Sequence, residues 1–212
     1  MRAPRHFFSV DSPALAQRLL GATLVRITDS GDRLAGRIVE TEAYLGPDDA
    51  CAHSYRGRRT ARTEPMFAQG GTAYVYFTYG MHHCMNVVAG EVDQPVAVLI
   101  RALEPMEGLG LMRTNRASAK RPPDALRETD LCSGPGKICQ AMGIDRSLSG
   151  IDLVSHDTLF VLPSPSGPID TSEIVNDARI GVGDASEWAR RPLRWHIRGN
   201  PHVSRRSPPT SQ

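Results

Sequence analysis

Two glutamates, Glu40 and Glu42, stand two positions apart in the segment GRIVETEAYLGP (residues 36–47). A carboxylate so placed is a candidate general acid or base. Strand alternation puts Ile38, Glu40, Glu42 and Tyr44 on one face and Val39, Thr41, Ala43 and Leu45 on the other. A carboxylate and an aromatic ring then share a surface. Glutamate is a poor strand former, so something other than propensity keeps the pair there. The competing explanation is a solvated face, the usual place for Glu.

Three of the five tyrosines fall within six residues of TAYVYFTYG (72–80). Tyr74 and Tyr76 take one face of that strand and Val75 and Phe77 the other, and ordinary strand aromatics of this kind pack a core. Tyr79 adjoins Gly80 at the turn, where a core role is poorly served and stacking against a base step is physically suitable.

Between these strands lies CAHSYRGRRTARTEPMF, with Arg56, Arg58, Arg59 and Arg62 in seven residues beside His53 and Tyr55. Such a loop is either a solvated basic surface or a set of guanidinium forks for a phosphate backbone. Ser133-Gly134-Pro135-Gly136-Lys137 opens a helix whose free N–H groups and dipole suit an anion, although an ordinary capped helix has the same form. Arg101 interrupts the apolar run VAVLIRAL, which requires a carboxylate partner, structural or chemical. Asn86 follows the His82-His83-Cys84 cluster. Adjacent strand residues point to opposite faces, so these residues with Cys51 and His53 make a poor metal set. No metal is expected.

The elements that position these residues read as follows. Ser12, as N-cap, and Pro13 start a short helix that ends before Gly21. Strands are predicted over 22–27, 33–45, 72–79 and 95–103. The segment EPMEGLGLMRTNR reads as an amphipathic helix with an unclear start at Gly108 and Gly110, and 135–142 as a helix closed by Gly143. Asp184 and Glu187 form a capping-box pattern. Strands flanked by helices without strict alternation give an α+β fold with an antiparallel sheet.

With 212 residues, one domain is expected, and residues 205–212 lack the apolar content to fold. No membrane-spanning stretch or export signal is read, so a cytoplasmic location follows as an expectation. The four cysteines then fit reduced thiols better than disulfides. A net charge of +2 means that polyanion binding must rest on local clusters. Only Lys120 and Lys137 are lysines among the 25 basic residues, which restricts amine chemistry.

The strings GRIVETEAYLGP, AHS, GTAYVY, YGM, CMN, LIRALEP, LCSGPGK, RIGVG, EWARRPLR and RGNP occur in order from about His6 to Ser204. In this combination the chain resembles the alkyladenine (3-methyladenine) DNA glycosylase family, with a glycosylase domain over 1–204. The resemblance implies a curved antiparallel sheet, Glu42 as the base that activates water, and Arg101 holding that water and carboxylate. It places Tyr44, His53 and Tyr76 around an extruded base, Asn86 at the pocket floor against the exocyclic amine of guanine, and Tyr79 in the gap left in the duplex. Arg56, Arg58, Arg59, Arg62 and Lys137 are candidates for the DNA backbone.

The implied substrate is double-stranded DNA with alkylated or deaminated purines, acted on by a monomer without cofactor. His82 stands where the mammalian proteins carry an aromatic residue. A catalytically silent damaged-DNA-binding module is the alternative, disfavoured by retention of Glu42 and Arg101. An RNA-binding protein is a third reading, which the resemblance disfavours.

Overall fold

The computed structural model describes residues 1–78, 80–183 and 187–204. In chain order the elements are α1 (Arg5–Phe8), α2 (Ser12–Leu19), β1 (Thr23–Ile27), β2 (Arg33–Tyr44), β3 (Ala73–Thr78), β4 (His82–Ala89) and β5 (Val96–Glu107). There follow α3 (Leu109–Arg116), α4 (Glu128–Leu131), α5 (Pro135–Met142), β6 (Leu159–Leu162), β7 (Ile174–Asp177), α6 (Glu187–Arg190) and β8 (Arg194–Ile197). The strands form one curled antiparallel sheet in the order β3-β4-β5-β2-β1-β6, with β8 also paired to β2 and β7 to β8. The α+β expectation holds.

β2 is where this sheet forks. One edge bonds β5 along its length, while the other bonds β1 through 33–37 and β8 through 40–42. At the fork the register against β5 shifts between Ile38 and Glu40 and again between Glu40 and Thr41, the mark of a β-bulge. The extra residue breaks the predicted alternation. Ile38 joins Ala43 in the main core with Leu15, Ala16 and Leu19 of α2, whereas Val39 packs with Ala102 and Val203 on the other side. Glu40, Glu42 and Tyr44 remain together, and Ile38 does not share their face. Bulges often re-aim side chains next to active sites.

α2 locks this strand from below. Its N-cap is Asp11, which accepts from Ala14 N at 2.7 Å, and not Ser12 as the sequence pattern predicts. Ser12 instead donates its hydroxyl to the Tyr44 carbonyl at 3.1 Å, and Thr41 donates to the Ala16 carbonyl at 2.9 Å. Helix and strand are thereby held at two points flanking Glu42.

β5 runs four residues past its predicted end and absorbs Glu104–Glu107, which the helical reading of EPME assigns to α3. Gly108, at φ +77°, makes the turn from strand to helix, and a Cβ there would meet Leu34 at 2.3 Å. β4, β6, β7 and β8 lie outside the predicted strands. The last three are only four residues long, too short for alternation to register. Asp184 of the capping-box pattern and the 205–212 tail lie outside the described residues. The four cysteines, all among the described residues, form no disulfide.

Candidate active site

The bulge and β8 together bury Glu42 completely. Its Oε1 accepts from the Ile180 backbone N–H at 2.7 Å and lies 3.2 Å from Arg101 Nη1, while Oε2 accepts from the Tyr44 hydroxyl at 3.0 Å. Burial lifts the carboxyl above its ordinary pKa, opposed by Arg101, the Ile180 amide and Tyr44, and reinforced by Glu40. A carboxylate offers about four lone-pair positions, so three engaged donors leave room for one more, such as water.

Glu40 is the second buried carboxylate. Its Oε1 meets Arg194 Nη1 at 2.8 Å and Arg101 Nε at 3.4 Å, and its Oε2 accepts from Ser204 N at 2.7 Å. Arg194 also pairs with Asp177 at 2.7 Å. Arg101 therefore sits between two carboxylates and donates to the Ile180 carbonyl at 3.3 Å. Its own burial would lower its pKa, but Glu42 and Glu40 outweigh that and raise it. The guanidinium stays charged, and the partner that its apolar setting demands is supplied twice.

In front of this cluster opens a cavity of about 530 Å³, lined by the expected Tyr44, His53, Tyr76, Asn86 and Arg101 together with Tyr74, Cys84 and Ile180. Glu42 is not on the surface of the cavity. It lies directly behind Tyr44, Arg101 and Ile180, through which it touches the space. The aromatic wall is tightly set: His53 meets Tyr76 edge-on with centroids 4.6 Å apart, and Tyr74 and Tyr76 are 5.4 Å apart. Burial raises the pKa of Tyr44 and Tyr76, so both keep their hydroxyl hydrogens. Asn86 lies opposite Tyr74 in the β3–β4 pair and donates to its carbonyl at 3.1 Å.

The basic residues singled out in the sequence differ in how they are committed. Arg56 and Arg58 are exposed, Arg56 at φ +57° with its guanidinium 5.1 Å from the Tyr55 ring. Arg59 pairs with both Glu64 (2.6 Å) and Asp93 (2.8 Å). Arg62 lies 5.2 Å above the Tyr76 ring. Lys137 donates to Ser133 Oγ at 3.1 Å, and its pKa is lowered by partial burial and by Arg116. His82 packs on the first turn of α5, where a Cβ on Gly136 would come within 3.1 Å of its ring. Tyr79 lies outside the described residues. Among the described residues no group of three or more His, Cys, Asp or Glu is placed to hold a metal ion.

Sequence reasoning missed Ile180, Glu40 as an Arg101 partner, Arg194, Tyr74, Cys84 and the Arg179–Asp49 pair. The Ile180 contacts are made by backbone atoms, for which side-chain type gives no signal. Arg194 and Arg179 sit in segments too short for pattern reading. The signal available for Glu40 was its adjacency to Glu42.

The family model described as methylpurine-DNA glycosylase matches residues 6–201. The chain is 46% identical to the DNA-3-methyladenine glycosylases of Homo sapiens and Mus musculus, covering 93% of this chain in both cases and 66% and 60% of theirs. It thus spans a little under two thirds of the length of those relatives. A candidate 3-methyladenine DNA glycosylase of Bacillus cereus is 44% identical over 97% of this chain and 100% of its own length. With a match running through the strand of Glu42, the cavity walls and the Ile180 segment, the chain belongs to the methylpurine-DNA glycosylase family.

Proposed function

We propose that the chain is a base excision repair DNA glycosylase that extrudes an alkylated or deaminated purine from duplex DNA and hydrolyses its bond to deoxyribose. The observation that carries this reading is the buried Glu42 carboxylate, held by Tyr44, Ile180 and Arg101 at the back of an aromatic cavity. Extruding a base costs a few kcal/mol, least for damaged or mispaired bases. Tyr79 would offset that cost by filling the vacated stack. An electron-poor purine stacks on Tyr44 and Tyr76, with a cation–π component when the base is positively charged.

The chemistry follows from the charges. As the C1′–N bond breaks, its electron pair leaves with the base and positive charge grows on the sugar. A water oxygen forms the new bond to C1′ and its proton passes to Glu42, with Arg101 holding carboxylate and water in line. Asn86, fixed by the Tyr74 carbonyl, would stand against a guanine amine. Arg56 and Arg58 would meet phosphates, with Lys137 at the α5 start.

The experiment is incubation with duplex oligonucleotides carrying single defined purine lesions, followed by alkali. Cleavage at the lesion supports hydrolysis. Tight lesion binding without alkali-labile sites would favour a silent binding module instead.

A further inference from the structure

Tyr76 is a partition between two spaces. It lines the cavity in front of Glu42 and also a second hollow of about 440 Å³, whose wall includes Arg62, Phe77 and Arg146. The Arg62 guanidinium lies 5.2 Å from the centre of the Tyr76 ring and takes no part in lining the cavity, so it meets the ring from outside. Tyr44, the other stacking wall, is built alike: Arg179 lies 4.7 Å from its ring and faces a separate hollow. The two guanidiniums differ in charge balance. Asp49 grips Arg179 with both carboxylate oxygens, which offsets its charge behind Tyr44. Near Tyr76, Arg59 takes the carboxylates of Glu64 and Asp93, and among the described residues no carboxylate pairs with Arg62. The Arg62 charge is felt within the cavity wall: after burial, it and then Arg58 lower the His53 pKa to about 4.

An aromatic face attracts a cation through its negative π cloud, and a second cation behind the same ring repels the first and draws on that cloud. A neutral base stacked on the ring meets no such repulsion. We propose that Arg62 is a specificity-determining residue acting through Tyr76: its unbalanced charge behind the ring weakens the hold on a positively charged purine and leaves a neutral one, such as hypoxanthine, unpenalised. The cavity is thereby set further toward neutral lesions than two bare tyrosine walls would set it. This deepens the glycosylase reading above and rests on it for the identity of the base.

Binding reads this preference more directly than excision, because a cationic base loses its charge as its bond to the sugar breaks. Duplexes with a 2′-fluorinated 7-methylguanine (a cation) or hypoxanthine (neutral) nucleotide resist cleavage, since the fluorine opposes positive charge on the sugar. The ratio of their two Kd values cancels any effect of Arg62 on the rest of the duplex. Arg62 is exposed, so its replacement is tolerated by the fold. In Arg62→Gln the ratio should move about threefold in favour of the 7-methylguanine duplex, the scale of one exposed cation–π contact. Arg62→Lys, which keeps the charge, should stay closer to the parent. Arg59→Gln should match the parent, because the Arg59 charge is balanced and its ring contact is with Phe67. A ratio unmoved in Arg62→Gln, or moved as far in Arg59→Gln, overturns the proposal. An unmoved ratio with a salt slope lowered by about 0.9 would make Arg62 a phosphate contact instead. A parent that leaves the same lesions intact in unfluorinated duplexes would strike the glycosylase reading, while the binding ratio still decides the role of Arg62.

Discussion

Arg179 and Asp49 form a two-pronged ion pair closed to solvent on both sides, with Nη1–Oδ2 at 2.5 Å and Nη2–Oδ1 at 2.9 Å. Arg179 also donates to the Ala43 carbonyl at 3.0 Å and lies 4.7 Å from the Tyr44 ring. The loop after β2 is thereby joined to the segment whose next residue, Ile180, holds Glu42. Asp49→Ala would leave a buried guanidinium without its partner, and loss of one member of such a pair costs about 3–5 kcal/mol. Urea denaturation should show that loss. A change below about 1 kcal/mol would mean that the pair does not anchor the loops.

Glu40 should set the pH at which Glu42 becomes a base. A general base acts when deprotonated, so excision of a cationic lesion should rise with pH through the raised Glu42 pKa. The Glu40 charge contributes to that elevation, and Glu40 shares Arg101 with Glu42. In Glu40→Gln both effects favour the ionised form of Glu42, and the midpoint of the single-turnover pH profile should move to lower pH. A midpoint unmoved or moved upward would contradict the coupling.

The basic loop should divide by commitment. Replacing one arginine that contacts a phosphate lowers the slope of log K against log salt by about 0.9. Arg58→Ala should do this, since Arg58 is exposed. Arg59→Ala should leave the slope unchanged, because its guanidinium already serves Glu64 and Asp93. Fluorescence anisotropy at several salt concentrations separates the two, and equal slope changes would refute the division.

Tyr79→Ala should weaken binding to a paired lesion by about 1–3 kcal/mol, the scale of a lost base–aromatic stack. Binding as tight as the parent would remove the wedge role.

Much of this was legible in the sequence where residue type and period coincide. Glu42, Tyr44, Arg101, His53, Tyr76 and Asn86 were all named, and the structure brings them to one cavity and its rear wall. Alternation failed at Ile38 because a bulge inserts an unpaired residue, and nothing in the composition of RIVETE marks one. The N-cap moved from Ser12 to Asp11 because two capping residues stand side by side, and Ser12 is drawn off by Tyr44. The Ile180 grip on Glu42 was invisible because it is made by backbone N–H across 138 residues of sequence. Long-range pairing of short strands such as β7 and β8 is a tertiary property that local patterns do not carry.

In the proposed reaction Glu42 activates the attacking water. Single-turnover excision by Glu42→Gln on a duplex with one defined purine lesion, measured beside the Kd for the same duplex, tests it most directly. A rate lower by at least about a hundredfold is expected, the scale of a lost general base, with Kd nearly unchanged. A rate close to the parent, or a loss of binding equal to the loss of rate, would contradict it.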